Sequence, residues 1–156
     1  MSLIKVKEHL RKYNMEERII ELNESSATVE MAANALGCEP KEIAKTLGFI
    51  TNEDVILIVT AGDVKVDNQK FREVFSAKAN MIPFSEVEKL VGHEVGGVCP
   101  FAINDNVKVY LDVSLKRFDY VFPACGSTNS AIKLSLEELE KYSNYIKWID
   151  VCKNWE

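Results

Sequence analysis

The chain is poor in the residues that usually announce a site. In 156 residues it has two histidines, four cysteines, seven glycines and four prolines. Zinc takes about four Cys, His or carboxylate ligands at recognisable local spacing. Here His9, His93, Cys38, Cys99, Cys125 and Cys152 are scattered, with no CxxC pair, so no metal site is expected. The same scatter makes reduced thiols a better expectation than a disulfide framework. Long apolar runs are absent too: VILIVTA at 55–61 falls far short of the ~20 residues of a membrane helix, and MSLIKVKEHL lacks a secretory apolar core. No membrane contact is expected, and cytoplasmic residence follows. Positive charge is in deficit, with 19 Lys and Arg against 24 Asp and Glu. A net charge of −5 argues against coating nucleic acid through bulk electrostatics but leaves a local contact open. The local basic excess is Lys65, Lys70, Arg72 and Lys78.

What is present describes an ordinary globular chain: 47% hydrophobic and 28% charged. The length suits one domain spanning 1–156. Leu3, Ile4, Val6, Leu10 and Tyr13 recur at helical spacing and predict a first helix ending near Asn14. RIIEL at 18–22 reads as a strand. Thr28 is a plausible N-cap for a small-residue helix carrying Val29, Ala32, Ala33 and Leu36 on one face, stopped by Gly37. Pro40 suits a first helical turn; strands over 46–51 and 55–60 then flank the turn TNED. Lys45 falls where that short helix hands over to a strand.

Asp67 is a cap for a helix through about Phe75, and Ser85 with Glu88 forms a capping-box pattern before a helix ended by Gly92. VKVYL at 107–111 and DYVFPA at 119–124 read as strands with Asp112 between them. AIKL at 131–134 reads as a short strand, and Ser135 with Glu138 repeats the capping box before a helix through about Tyr142. Irregular alternation with at least one hairpin predicts a mixed α/β fold, a mixed sheet wrapped by helices.

The stretch VGHEVGGVCPFAIN at 91–104 admits three chemistries. Cys99 lies six residues after His93, so a base-activated thiol is one, against plain packing of a small buried residue. Half of a metal site is the second. The third uses the backbone: Gly96 and Gly97 lack a Cβ and let their amides approach a ligand, while Pro100 stiffens the far side. On these residues alone, a tight turn explains the loop equally well.

The ordered series TVEMAANALGCEPKEIAKTLGF, AGD, the GGVCPFA loop, Asp112 and ACGSTNSAIKLSLEEL resembles the YbaK/EbsC-type family of trans-acting aminoacyl-tRNA deacylases, similar to the editing insert of bacterial prolyl-tRNA synthetase. The resemblance covers roughly residues 20 to 142. It implies a curved, partly barrel-like mixed sheet surrounded by helices, and hydrolysis of the ester of mischarged tRNA with no metal or organic cofactor. The partners it implies are the aminoacylated acceptor end of tRNA and prolyl-tRNA synthetase.

Position by position, it implies that Lys45, followed by Thr46, holds the aminoacyl-adenosine end. The loop Gly96, Gly97, Val98, Cys99 and Pro100 presents its backbone to the aminoacyl carbonyl. Asp112 matches an acidic residue after a central strand, and Gly126 matches the glycine opening the late loop. Members that remove alanine typically carry Asn after the lysine and a later His; here Thr46 follows and CGSTNS has no His. Lys-Thr looks more like the branch that clears cysteine, whose late loop is more basic than STNS, so the amino acid stays open. The alternatives are a non-catalytic module of the same fold that binds aminoacyl-adenosine or a synthetase, and a Cys99–His93 hydrolase of small esters.

Overall fold

The computed structural model describes residues 2–154. Helix α1 (Ser2–Arg11) stops short of Asn14, which turns out of the helix at φ 60°. Residues Glu16–Arg18 form a 3₁₀ turn, so the strand expected over 18–22 shrinks to β1 (Ile20–Glu21). Helix α2 (Val29–Leu36) follows with the expected caps: Thr28 Oγ1 accepts from Met31 N at 3.2 Å, and Gly37 adopts φ 71°. A 3₁₀ turn over Pro40–Glu42 leads directly into β2 (Ile43–Thr51), which places Lys45 three residues inside the strand instead of at its entry.

Strand β3 (Asp54–Ala61) returns antiparallel through Asn52 and Glu53, both at positive φ. Next come β4 (Lys65–Val66), α3 (Asn68–Phe75, capped by Asp67) and α4 (Phe84–Val91). Ser85 is not the cap of α4. Ile82 is buried and its N–H binds Gly48 O at 3.0 Å, so the chain is already anchored and the helix starts behind Pro83, with Gly92 ending it as expected.

Strands β5 (Lys108–Asp112), β6 (Tyr120–Pro123), β7 (Ser130–Ala131) and β8 (Leu134–Ser135) follow, then α5 (Leu136–Ser143), β9 (Trp148–Ile149) and β10 (Cys152–Lys153). The strand expected over 131–134 is split, because β7 pairs with β1 while β8 pairs with β6. The Ser135–Glu138 capping box is present, at 3.2 and 2.9 Å.

The main sheet runs β8-β6-β2-β3-β5-β9, with β2–β3 and β6–β8 antiparallel and the other pairs parallel. It curls into a half-barrel surrounded by helices. Ile56, Leu57, Ile58 and Val59 of β3 are all nearly fully buried, which is why this strand reads as a continuous apolar run instead of an alternating one. An aromatic chain, Phe49–Phe71–Phe75–Tyr110, with centroids 4.6 to 5.0 Å apart, ties α3 to the sheet. A second small core of Ala32, Ala33 and Ile43 seats α2 against the start of β2. Among the described residues, no helix is long and apolar enough to cross a membrane.

Candidate active site

The outer edge of β2 is shared. At Ile43 and Ala44 it pairs with β6; at Gly48 and Ile50 it bonds the segment 80–82, through Ile82 N to Gly48 O (3.0 Å) and Ile50 N to Asn80 O (2.9 Å). Between these two attachments, residues 45–47 have no strand on that side. Backbone groups alternate in direction along an extended strand. Gly48 and Ile50 face outward, so Thr46 does too, and its N–H and C=O point into the gap. The gap is the floor of a cavity of about 250 Å³. Its walls include Ala27 and Val29 before and within α2, Ile82 and Phe84 at the start of α4, and Phe122 on β6.

Lys45 and Thr46 line this cavity together with Gly96 and Val98 of the glycine loop. The Lys45 side chain is half-buried, and its ammonium donates to Val64 O at 2.5 Å. Burial lowers its pKa from the usual lysine value, opposed by its interactions with Cys152 and with the acids Asp63 and Glu30. Among the described residues no carboxylate lies in an ion pair with it, and no other Lys or Arg lines the cavity. Thr46 Oγ1 is enclosed and, among the described residues, has no hydrogen-bond partner.

The glycine pair divides its work. Gly97 N–H binds Glu94 O at 3.0 Å, and Gly97 O accepts from Gly126 N at 3.0 Å. Its Cα rests on the late loop: a Cβ there would lie 2.5 Å from Ser127 N and 2.7 Å from Gly126 C. Gly97 and Gly126 (φ 93°) therefore lock two loops together behind the cavity. Gly96, also at φ 93°, lines the cavity itself. Among the described residues the amides of Gly96 and Val98 have no acceptor, so the available donor pair is Gly96 and Val98 instead of Gly96 and Gly97.

Three expected site residues lie elsewhere. Cys99 is fully buried beside His93, Sγ to Nε2 3.6 Å, and burial pushes its thiol pKa up to about 12. His93 Nε2 lies 2.6 Å from Phe101 O, which makes it the protonated nitrogen, so the nitrogen facing the thiol is not a free base. Burial also lowers the His93 pKa. Pro100 borders a different groove, with His9, Ala102 and Tyr142. Asp112 is wholly buried; its Oδ2 accepts from Ser114 N and its Oδ1 from Val151 N, each at 2.9 Å. It joins the end of β5 to the C-terminal segment, and with both oxygens engaged away from the cavity it is a structural clamp.

Sequence reasoning missed the Thr46 strand edge and the walls at Ala27, Val29, Ile82, Phe84 and Phe122. No local pattern marks them, since each becomes a wall only because β2 lacks a neighbour at this one point.

Residues 23–142 match a family model described as the aminoacyl-tRNA editing domain. The chain belongs to that family. Within it, the uncharacterized protein YwhH of Bacillus subtilis is 54% identical over 157 residues, covering all of both chains. The proposed Cys-tRNA(Pro)/Cys-tRNA(Cys) deacylase EbsC of Enterococcus faecalis is 23% identical over 78% of this chain and 76% of its own. The proline–tRNA ligase of Bacillus cytotoxicus is 29% identical over 64% of this chain, a stretch that makes up 17% of the ligase. Among solved structures, a proposed trans-editing enzyme for prolyl tRNA synthetase superposes with a TM-score of 0.87 at 25% identity, over 98% of both chains. The structural likeness extends over 98% of the chain and includes the curled sheet.

Proposed function

We propose that this protein is a trans-acting deacylase that hydrolyses the ester of a tRNA carrying a small wrong amino acid, of the Cys- or Ala-tRNA(Pro) kind. One observation carries the reading. Lys45, the open edge of Thr46 and the free amides of Gly96 and Val98 all border one cavity.

The cavity walls are mainly apolar and hold no carboxylate. That environment accepts a small neutral side chain and disfavours a charged one. At about 250 Å³ the cavity is smaller than the ~300 to 1,000 Å³ that encloses a drug-sized ligand. The aminoacyl group fits inside and the terminal adenosine stays at the mouth. There, Phe84 (78% exposed), Met81 (57%) and Val95 (44%) form an apolar rim on which a base can stack.

Water, oriented by a neighbouring hydroxyl of the substrate, adds to the ester carbonyl carbon. Negative charge then grows on the carbonyl oxygen, and fixed amides aimed there are worth on the order of 10² to 10³ in rate each. The ribose oxygen leaves with a proton, giving free amino acid and uncharged tRNA. Lys45 supplies positive charge for the nucleotide without acting as a base. No thiol and no metal enters this route.

A panel of tRNAs charged with different amino acids tests the proposal. Hydrolysis above the spontaneous rate is expected for a small amino acid on tRNA(Pro), with Lys45→Ala strongly impaired. No acceleration on any charged tRNA refutes it. Tight binding of a non-hydrolysable aminoacyl-adenosine without turnover would recast the protein as a binding module.

A further inference from the structure

The ribbon made by β4 and β10 contains an electrostatic conflict. Its antiparallel register places Lys65 directly opposite Lys153. Both side chains are exposed, and like charges facing each other across a strand pair are unfavourable. Some surface lysines of this acidic protein sit against carboxylates, as in Lys7–Glu21, Lys70–Asp150 and Lys108–Asp54, and others such as Lys12, Lys78 and Lys89 do not; what sets Lys65 and Lys153 apart is that they face each other. Neither has an ion-pair partner among the described residues. The nearby acids are engaged: Asp63 with Arg117, Asp150 with Lys70, and Asp67 with the amides of Gln69 and Lys70. Among the described residues, two positive charges thus face each other with no ion-pair partner on a chain of net charge −5, the nearest acid influence being Asp67, whose carboxyl feels Lys153.

The facing pair is linked to the cavity through Lys45. Val64 O receives the Lys45 ammonium, and Lys65 is the next residue. Lys70, on which the sequence-based basic patch partly relied, is tied to Asp150 and Cys152 O. The second member of the pair comes instead from the far end of the chain.

We propose that Lys65 and Lys153 form a clamp for the phosphodiester backbone of the RNA strand whose aminoacylated end enters the cavity. The proposal rests on the editing function inferred above. Two ammonium groups on flexible stems, held side by side by the ribbon register, match the repeated negative charge of that backbone and form no ion pair among the described residues. The cost of facing like charges is relieved only when an anion lies between them.

The test is binding of uncharged tRNA as a function of salt, by wild-type protein and by the double variant Lys65→Gln with Lys153→Gln. Each lost phosphate contact lowers the slope of log affinity against log salt by about 0.7 to 0.9. Over an increase from about 50 to 200 mM salt, wild type should therefore lose about 7- to 12-fold more affinity than the double variant. Lys108→Gln, whose lysine is ion-paired elsewhere, should leave the slope unchanged. Thermal stability of the double variant should equal or exceed wild type, and hydrolysis of a phosphate-free aminoacyl-adenosine should persist. An unchanged slope, or a loss of affinity at every salt concentration with no change of slope, overturns the clamp. A reduced slope in a protein that hydrolyses no charged tRNA overturns the editing function and leaves the clamp standing.

Discussion

Replacing Gly97 by alanine tests whether backbone position sets the rate. The backbone at Gly97 is compatible with a side chain, so the effect is purely one of space. The new Cβ would sit 2.5 Å from Ser127 N, 2.7 Å from Gly126 C and 2.8 Å from Ser127 C. These are main-chain atoms that cannot rotate away. Ordinary contact needs about 3.5 Å, so the two loops must part by roughly 1 Å. Overpacking of this kind costs about 1 to 3 kcal/mol. In a chain of this length that lowers the melting temperature by roughly 2 to 12 °C. The same movement would carry the Gly96 and Val98 amides away from the carbonyl they are proposed to bind, and a displacement of about 1 Å can cost 10²-fold in rate. The assay pairs a thermal melt with single-turnover deacylation of the preferred charged tRNA, below the variant's melting range. A lowered melting temperature with an unchanged rate would refute the reasoning, since the loop would then have moved without consequence for the chemistry.

Other outcomes follow from the same geometry. Cys99→Ala should leave deacylation intact, and alkylation of Cys99 in the native protein should be very slow, because a thiol with a pKa of about 12 is only on the order of 10⁻⁴ thiolate at pH 8; rapid inactivation by a thiol reagent with modification mapped to Cys99 would contradict this. Asp112→Asn should destabilise the fold by about 1 to 3 kcal/mol, because one of two buried N–H groups loses its acceptor, with the rate of the folded fraction unchanged. A pure loss of rate would put Asp112 back in the site. Stability should also fall as pH drops below about 6.5, the ordinary histidine value, because the unfolded chain then binds a proton that buried His93 refuses in the fold. The slope in that window is about 1.4 kcal/mol per pH unit for this one group. His93→Gln should flatten the melting-temperature profile between pH 5 and 7, and an unflattened profile would show that His93 is not the group responsible.

Local elements were legible wherever a short-range rule decides them. Thr28, Gly37, Asp67 and the Ser135–Glu138 box cap helices as their side-chain or backbone chemistry dictates, because each acts within four residues of itself. Ser85 carried the same signature without the role, since a long-range bond at Ile82 had already determined where α4 begins. The split of 131–134 into β7 and β8 had no local cause either; it reflects two different partners, β1 and β6.

The candidate site divides the same way. The resemblance of the ordered series to the editing-deacylase family singled out Lys45, Thr46 and the GGVCP loop, whereas the chemistry of those residues alone left the loop equally well read as a tight turn. Tertiary structure decided which of them share a cavity. It turned Gly97 into a spacer and Gly96 and Val98 into the free donors, buried Cys99 and Asp112, and brought Lys153 opposite Lys65. The physical reason is that cavities and charge clusters are made by gaps and registers between strands far apart in the chain. A strand edge left unpaired for three residues leaves no trace in the residues themselves.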